Sequence, residues 1–411
     1  MFAICYLLVM IISLVLFAFV DLSLNKKIII AALLFMIFAL IIIPVDTGAV
    51  DATKYFSFLD SIRHVRQESG VAMAWKMVNS NAITLNTSSI LDPVADTLSF
   101  GATPVMGLIM FVMSYLPNEF LMALVAFADY FFAMKIIQVV VEKDHLSKWY
   151  FCYGYFTFCC LFVYSAAVSG IRNNFVGTVF AYAALKYTEK NKPIFSWTTI
   201  QFLVITVLLS LIHQFTLVLF ILFCLVILFN RFKVVMWLID LVVLVGQSIF
   251  QGPLLALLMP LSGIPFFTSI LYKSNQYLGN SATIHISSTA NFVRDIARLV
   301  ILLLLFIVVR KYGQRVIDAR YTEFVLLLFC FIIGSFRDQL MFDRCLLVML
   351  PIMLPFITVL PAATYHSNWS APVAVRTAIL NLSIIFLFLF SIVCLTDNLR
   401  AGSTYFYFLW G

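Results

Sequence analysis

Long apolar runs alternate with short polar hinges along the whole chain, and most hinges carry lysine or arginine. Each run is roughly 13–20 residues long, enough for a helix at about 1.5 Å per residue to cross much of a hydrocarbon core of about 30 Å. The pattern predicts an all-α, polytopic membrane protein with one transmembrane domain over residues 1–411 and about 12 transmembrane helices. The predicted spans are residues 2–20, 28–45, 120–141, 149–169, 173–187, 195–212, 214–229, 234–250, 298–310, 321–336, 345–364 and 377–396.

Two further apolar stretches, residues 101–116 and 253–266, are predicted to be re-entrant or surface helices, since broken backbone is tolerated where protein covers it. Two long polar segments are predicted outer-face loops: residues 46–98, with an amphipathic helix, and residues 272–297. The first apolar run lacks a basic start and a clear cleavage site, so we expect it to be retained as a span.

Composition strengthens this class assignment. The chain is 63% hydrophobic and 11% charged, with a mean hydropathy of +1.06, whereas soluble domains average about 25% charged residues. The net charge of +7 is spread over the hinges, which indicates membrane orientation and argues against nucleic-acid binding. The eight cysteines lie in apolar runs without a CxxC pair, as small hydrophobic residues do.

The lysine-rich hinges orient the chain, because lysine and arginine accumulate on the cytoplasmic side. This orientation puts ten lysines and five arginines of the 26 cations inside, and three lysines and eight arginines outside. Arginine binds phosphate and carboxylate in a bidentate manner, so the outer excess predicts an anion site there; the alternative is snorkelling to lipid phosphates. The outer arginines are Arg63, Arg66, Arg172, Arg294, Arg298, Arg337, Arg344 and Arg400.

One predicted hairpin, residues 173–187 and 195–212, surrounds a lysine-rich hinge and carries polar residues at its far ends. Arg172 opens the first helix, and His213 follows the second. Charged and titratable groups at membrane depth are costly and therefore suggest function. We expect Arg172 to bind an anion. His213 is either a catalytic or ligand residue or a helix-to-helix hydrogen-bond donor.

The hinge FRDQLMFDR, residues 336–344, also lies on the predicted outer side. Its arginines, Arg337 and Arg344, are candidates for pyrophosphate binding, while a carboxylate such as Asp338 would orient a sugar hydroxyl. The alternative is a solvated turn whose charges compensate one another.

Two further pairs show helical i, i+4 spacing, which puts their members on one helix face. Asp51 and Tyr55 follow the second span. The Asp51 carboxylate is a candidate general base. The alternative is that the two residues belong to an amphipathic surface helix without a catalytic role. Arg294 and Arg298 lie at the start of a later span. They are expected to act either as a phosphate clamp or as lipid-facing anchors.

The sequence lacks a Walker A loop, DxD, HExxH, GxSxG and any His/Cys cluster with metal spacing. These absences predict no metal and no cofactor. Intramembrane acids are few, Asp129 and Asp240 among them, whereas a proton-coupled transporter usually has a clearer chain of them.

Together these motifs resemble the EpsG-like members of the Wzy-type polysaccharide polymerases. The resemblance rests on Asp51 with Tyr55, on GIRNNFVGTVFAYAALKYTEKNK, on LSLIHQFTLVLF and on Arg344 in FDRCLLVMLPIMLPF. Asn173 departs from the family, which often has glutamine after the arginine. The likeness covers most of the chain by order and spacing, but its motifs are short.

The resemblance implies polymerisation of undecaprenyl-pyrophosphate-linked oligosaccharides at the outer face of the bacterial cytoplasmic membrane, with a layout similar to metal-independent, lipid-dependent glycosyltransferases of type C. The implied partners are the lipid-linked donor and acceptor, the bilayer and, as candidate proteins, a flippase and a chain-length regulator. The resemblance implies that pyrophosphate is bound by Arg172, Arg337 and Arg344, with Arg294 and Arg298 as the next candidates. It also implies that His213 or Asp51 accepts the proton of the acceptor hydroxyl. A flippase for the same glycan and a glycan ligase remain alternatives.

Overall fold

A computed structural model describes residues 1–45, 51–79, 100, 103–189, 196–249, 260, 289–337, 339–359 and 373–408. Nearly all of these residues are helical, which confirms the predicted helical class. Within them, three helices are long and apolar enough to cross a bilayer: Phe2–Phe19, Glu119–Lys143 and Met341–Val359. The chain is therefore a membrane protein by the length and composition of its helices, and the number of about 12 spans stays a prediction.

The chain divides into two compact units, Met1–Ala183 with Leu350–Gly411, and Ala184–Met349. We call them unit 1 and unit 2. The helices, in chain order, are α1 Phe2–Phe19, α2 Leu24–Leu40, α3 Asp51–Ser69, α4 Val71–Asn79, α5 Pro104–Met113, α6 Glu119–Lys143, α7 Lys148–Leu161, α8 Tyr164–Ser169, α9 Ile171–Glu189, α10 Trp197–Ser210, α11 Phe215–Phe229, α12 Lys233–Ile249, α13 Thr289–Val316, α14 Ala319–Gly334, α15 Gln339–Val359 and α16 Val373–Tyr405.

The core of unit 1 is rich in aromatic side chains. Phe35 stacks on Tyr130 with ring centroids 3.5 Å apart. The buried Tyr6 hydroxyl donates to the Cys159 carbonyl at 2.6 Å and lies 3.1 Å from the Tyr130 hydroxyl. Buried hydroxyl groups need such partners, so these bonds fix α1 against α6 and α7.

Lysines bind the carbonyl end of α1. Lys27 of α2 donates to the Phe17 carbonyl at 3.2 Å, and Lys148 of α7 donates to the Ala18 carbonyl at 2.6 Å. Helix C-termini favour cations because their last carbonyls lack partners and carry partial negative charge. Two predicted cytoplasmic hinges therefore meet at one end of unit 1.

The predicted span 149–169 is two helices, α7 and α8, separated by a short break. Fully buried Asn398 of α16 bonds both sides of this break: its Nδ2 donates to the Phe162 carbonyl at 3.0 Å, and its Oδ1 accepts from the Tyr164 backbone N–H at 2.9 Å. The side-chain amide replaces the helical bonds that the break removes.

A two-stranded antiparallel sheet, which the sequence pattern did not predict, follows α2. Strand β1, Ile42–Pro44, pairs with β2, Phe406–Phe408, and Ile42 is opposite Phe408. The predicted span 28–45 thus ends as a helix at Leu40. Three apolar residues carry no periodicity that separates strand from helix.

The predicted outer loop 46–98 contains α3 and α4, and residues 80–99 lie outside the described residues. Arg63 and Arg66 of α3 bind the end of α5: Arg63 donates to the carbonyls of Ser114 (3.0 Å) and Leu116, and Arg66 donates to the Ser114 hydroxyl at 2.8 Å. These two outer arginines therefore stabilise a helix terminus. At 10 residues, α5 is about 15 Å long, shorter than a hydrocarbon core of about 30 Å, and its position as a surface or re-entrant helix stays a prediction.

The second predicted surface or re-entrant stretch, residues 253–266, lies outside the described residues except for Pro260. The second predicted loop, residues 272–297, is described only from residue 289 onward, as the start of α13.

In unit 2, α14 packs against α11, α12 and α13. Phe324 of α14 meets Phe223 of α11 edge to face, with ring centroids 5.3 Å apart. At the other end of α14, a Cβ atom on Gly334 would lie 2.5 Å from the Leu244 carbonyl oxygen. Glycine at this position allows α12 and α14 to approach closely.

Candidate functional site

A tight turn between α8 and α9 determines where Arg172 lies. The Gly170 backbone N–H donates to the Ala166 carbonyl at 2.7 Å, and a Cβ atom on Gly170 would lie 2.8 Å from that same oxygen. Asn174, fully buried, donates to the same carbonyl at 3.1 Å. Only a residue without a side chain fits this turn without a shift, and the turn puts Arg172 in the first turn of α9.

Arg172 contacts the first part of α3. Its Nε donates to the Tyr55 hydroxyl at 2.8 Å, and its guanidinium carbon lies 5.7 Å from the ring centroids of both Tyr55 and Phe100. Tyr55 is 4% exposed and Phe100 is fully buried. Aromatic faces attract a guanidinium group electrostatically. Two residues proposed from the sequence as site residues, Tyr55 and Arg172, are therefore in direct contact.

Within the described part of the chain, this cation has no carboxylate partner. The Nε hydrogen bond does not use the two terminal guanidinium nitrogens. The terminal nitrogens of arginine bind phosphate or carboxylate oxygens in pairs. Because the Tyr55 oxygen accepts from Arg172, its own hydrogen can be donated to another oxygen. Arg172 lies in the first turn of α9, whose unpaired backbone N–H groups add partial positive charge. The arrangement favours binding of an anion with several oxygens.

Asp51 is the first residue of α3 and precedes Tyr55 by one turn. Both residues lie in α3, and the i, i+4 spacing puts them on one helix face. The Asp51 side chain lies outside the part that the structure describes.

His213 lies at the break between α10 and α11. Its Nδ1 accepts the Phe215 backbone N–H at 3.2 Å, and its carbonyl accepts from the Thr216 hydroxyl at 2.9 Å. In a neutral ring with Nδ1 as acceptor, the proton is on Nε2. The imidazole thus caps the start of α11, and proton acceptance at Nδ1 requires that this cap be broken. The geometry favours a structural role for His213.

A second group of candidates lies in unit 2. Arg298 of α13 forms an ion pair with Asp343 of α15, with Nη1 and Oδ1 2.7 Å apart and side chains 35% and 38% exposed. Arg344 follows Asp343 in α15 and is half-buried. The pair compensates the charge of Arg298, so an anion bound by Arg298 would compete with the Asp343 carboxylate.

The remaining candidates are described only in part. Arg294 lies in α13, one turn before Arg298, and Arg337 ends a short 3-10 helix, Ser335–Arg337, between α14 and α15. The side chains of both arginines, and the whole of Asp338, lie outside the described residues.

Two residues that build these groups carry no signal in the sequence that identifies them. Phe100, which faces Arg172, is one of 42 phenylalanines, and nothing local separates it from those in lipid contact. Asp343 lies in the hinge FRDQLMFDR, but no spacing rule relates it to Arg298, since they are in different helices.

Where side chains are described, no three His, Cys, Asp or Glu residues come together as a metal site requires. Comparisons of the chain with protein families, with curated proteins and with solved structures find no match.

Proposed function

We propose that this protein polymerises undecaprenyl-pyrophosphate-linked oligosaccharides at the outer face of a bacterial cytoplasmic membrane. The observation that carries the proposal is the bond between Arg172, in the first turn of α9, and Tyr55 of α3. It supports recognition of a multi-oxygen anion by a membrane protein, as the leaving group of this reaction requires.

In the proposed reaction, a hydroxyl oxygen of the acceptor sugar attacks the anomeric carbon of the donor sugar. The bond between that carbon and the pyrophosphate oxygen breaks, and undecaprenyl pyrophosphate leaves with the electron pair. The acceptor hydroxyl loses its proton to a general base. Charge therefore develops on the pyrophosphate in the transition state, and fixed donors aimed at this charge accelerate the reaction.

Arg172 is the proposed pyrophosphate-binding residue. Its terminal nitrogens bind the phosphate oxygen nearest the breaking bond, while Nε remains on Tyr55. Loss of one such preorganised donor costs about 10²–10³-fold in rate. Arg337 and Arg344 are the next candidates for this role, followed by Arg294 and Arg298.

Asp51 is the proposed general base, and the Tyr55 hydroxyl is the proposed donor to a substrate oxygen. Asp51 is one helical turn from Tyr55, so one face of α3 would present both groups. His213 is the weaker candidate for the base, because its Nδ1 caps α11. Asp338 would orient a sugar hydroxyl.

Reconstitution of the purified full-length protein with an undecaprenyl-pyrophosphate-linked oligosaccharide tests the proposal. A ladder of glycans that grow by whole repeat units is the expected product. Arg172→Ala should lose the ladder while the protein still inserts into membranes. A wild-type protein that forms one new bond only would be a ligase, and this result would refute processive polymerisation.

A flippase for the same lipid-linked glycan is the second candidate. The predicted intramembrane carboxylates Asp129 and Asp240, which glycosyl transfer does not use, are residues that a flippase could use, although proton-coupled transporters usually have a clearer chain of such acids. In the reconstituted vesicles a flippase would protect the glycan from external enzymes without forming a new bond. That outcome would replace the polymerase proposal.

A further inference from the structure

Three helices of unit 2 bring charged side chains together near the start of α14. Arg310 of α13 pairs with Glu323 of α14, with Nη1 and Oε2 3.2 Å apart, and Gln314 donates to Oε1 of the same carboxylate at 2.6 Å. Glu323 is 12% exposed and Arg310 is 29% exposed. Both oxygens of Glu323 therefore have partners, and its charge is compensated by Arg310.

Asp240 of α12 is the third charged member of this group. Arg310 lies over the ring of Trp237, 4.5 Å from its centroid, and Asp240 follows Trp237 by three residues on the same helix face. Asp240 interacts electrostatically with both Glu323 and Arg310. Among the described residues, Cys330 of α14, two turns beyond Glu323, also interacts electrostatically with Asp240.

Asp240 is only partly compensated by Arg310. It is 8% exposed, and its Oδ1 has no hydrogen-bond partner among the described residues. Two carboxylates and one guanidinium leave one negative charge in the group, and Arg310 is already engaged by Glu323 and by the ring of Trp237. An isolated ionised carboxylate away from water is strongly unfavourable, so the group requires one more positive charge.

We infer that Asp240, Glu323 and Arg310 form a binding site for one monovalent cation, either a proton or an alkali-metal ion. A proton neutralises Asp240 directly, as happens when two carboxylates share one site. An alkali ion is a hard cation that takes oxygen ligands, and the Asp240 carboxylate would supply one or two of them. A divalent ion would exceed the single uncompensated charge beside a guanidinium.

This site uses residues of unit 2 that the proposed polymerisation does not use, so each inference can fail without the other. In membrane proteins, paired charges at membrane depth often mark ion or proton pathways. A cation at this site would attract the carboxylates of α12 and α14 beside Arg310 of α13, and would therefore stabilise the packing of these three helices.

Thermal unfolding of the purified full-length protein in lipid nanodiscs tests the inference. One arm compares sodium, potassium and choline chloride at equal ionic strength in mildly alkaline buffer, and a second arm acidifies the choline sample. Asp240→Asn and Glu323→Gln each remove one negative charge and make the group neutral. Glu142→Gln is the matched control, because Glu142 bonds Gln138 in unit 1.

If the site binds an alkali ion, the wild-type Tm should be higher in sodium or potassium chloride than in choline chloride by about 2 °C or more, a shift typical of one bound ligand. For a proton, the Tm rises by a similar amount on acidification in choline. In either case Asp240→Asn and Glu323→Gln lose the shift and Glu142→Gln keeps it.

Two results would overturn the inference: a wild-type protein whose Tm responds in neither arm, or the same response in wild type and Glu323→Gln. If Asp240→Asn does not fold, Glu323→Gln decides alone, because it leaves Arg310 to compensate Asp240. A carbonyl stretch of a protonated carboxylic acid, present in wild-type infrared spectra and lost in Asp240→Asn, identifies the proton.

Discussion

Tyr55→Phe is the sharpest perturbation of the candidate anion site. The substitution removes one oxygen atom and keeps the ring. Tyr55 is 4% exposed, and phenylalanine fills almost the same volume, so no cavity forms. What disappears is the 2.8 Å bond from Arg172 Nε and the hydroxyl proton available to substrate.

The magnitude follows from the chemistry of that bond. A hydrogen bond to a charged group contributes about 1.5–3 kcal/mol, and each 1.36 kcal/mol corresponds to a factor of ten in rate. We therefore expect Tyr55→Phe to lower the rate of chain extension by about 10–100-fold. Arg172→Ala should lower it by about 10²–10³-fold.

The assay is the initial rate of repeat-unit addition by reconstituted protein at matched amounts of inserted enzyme. Tyr115→Phe is the control, because Tyr115 also lies under an arginine of unit 1, with the Arg66 guanidinium carbon 3.8 Å from its ring centroid. The Tyr115 hydroxyl is not used in that contact, so the control should extend chains at the wild-type rate.

A double-mutant cycle provides the refutation. If Tyr55 acts by orienting Arg172, the variant with both Tyr55→Phe and Arg172→Ala should be little slower than Arg172→Ala alone, because the two residues act as a unit. Fully additive losses would show that the 2.8 Å bond does not couple them. A wild-type rate for Tyr55→Phe would remove the hydroxyl from the mechanism.

Asn398→Leu should lower the free energy of unfolding by about 2–5 kcal/mol, since it leaves two buried backbone groups unpaired; a Tm equal to that of wild type would contradict this. Gly154→Ala should cost about 1–3 kcal/mol by overpacking, because the added Cβ atom lies 2.5 Å from Thr358 Oγ1. The Gly154→Ala cost should fall in a Thr358→Ala background, and an unchanged cost would disprove the contact. Breaking the part-exposed pair of Arg298 and Asp343 should change stability by about 1 kcal/mol or less, and a larger loss of Tm would show a stronger structural role.

The helical class could be predicted from the sequence because apolar runs of this length leave few alternatives in a membrane. The positions at which the helices end could not be predicted from the sequence. The break between α7 and α8 is stabilised by Asn398, more than 230 residues later in the chain, and no local pattern reveals such a partner.

The candidate site was predictable as residue types and spacing. Arg172 is a polar interruption at the start of an apolar run, and Asp51 and Tyr55 are one helical turn apart. The contact between Tyr55 and Arg172 was not predictable, because it joins helices 117 residues apart in sequence.

Charge compensation was the least predictable feature. The lysine-based orientation predicts these arginines on one side of the membrane but does not say what each one binds. Arg63 and Arg66 bind the carbonyl end of α5, and Arg298 pairs with Asp343. Tertiary packing assigns these partners, so counting outer arginines overestimates the number available to substrate.

The release of undecaprenyl pyrophosphate, measured together with new glycosidic bonds in reconstituted vesicles, tests the central claim most directly. We predict one lipid pyrophosphate released for each bond formed by the wild-type protein, and loss of both products in Arg172→Ala. Bond formation at the wild-type rate by Arg172→Ala, or wild-type vesicles that form neither product, would contradict the account.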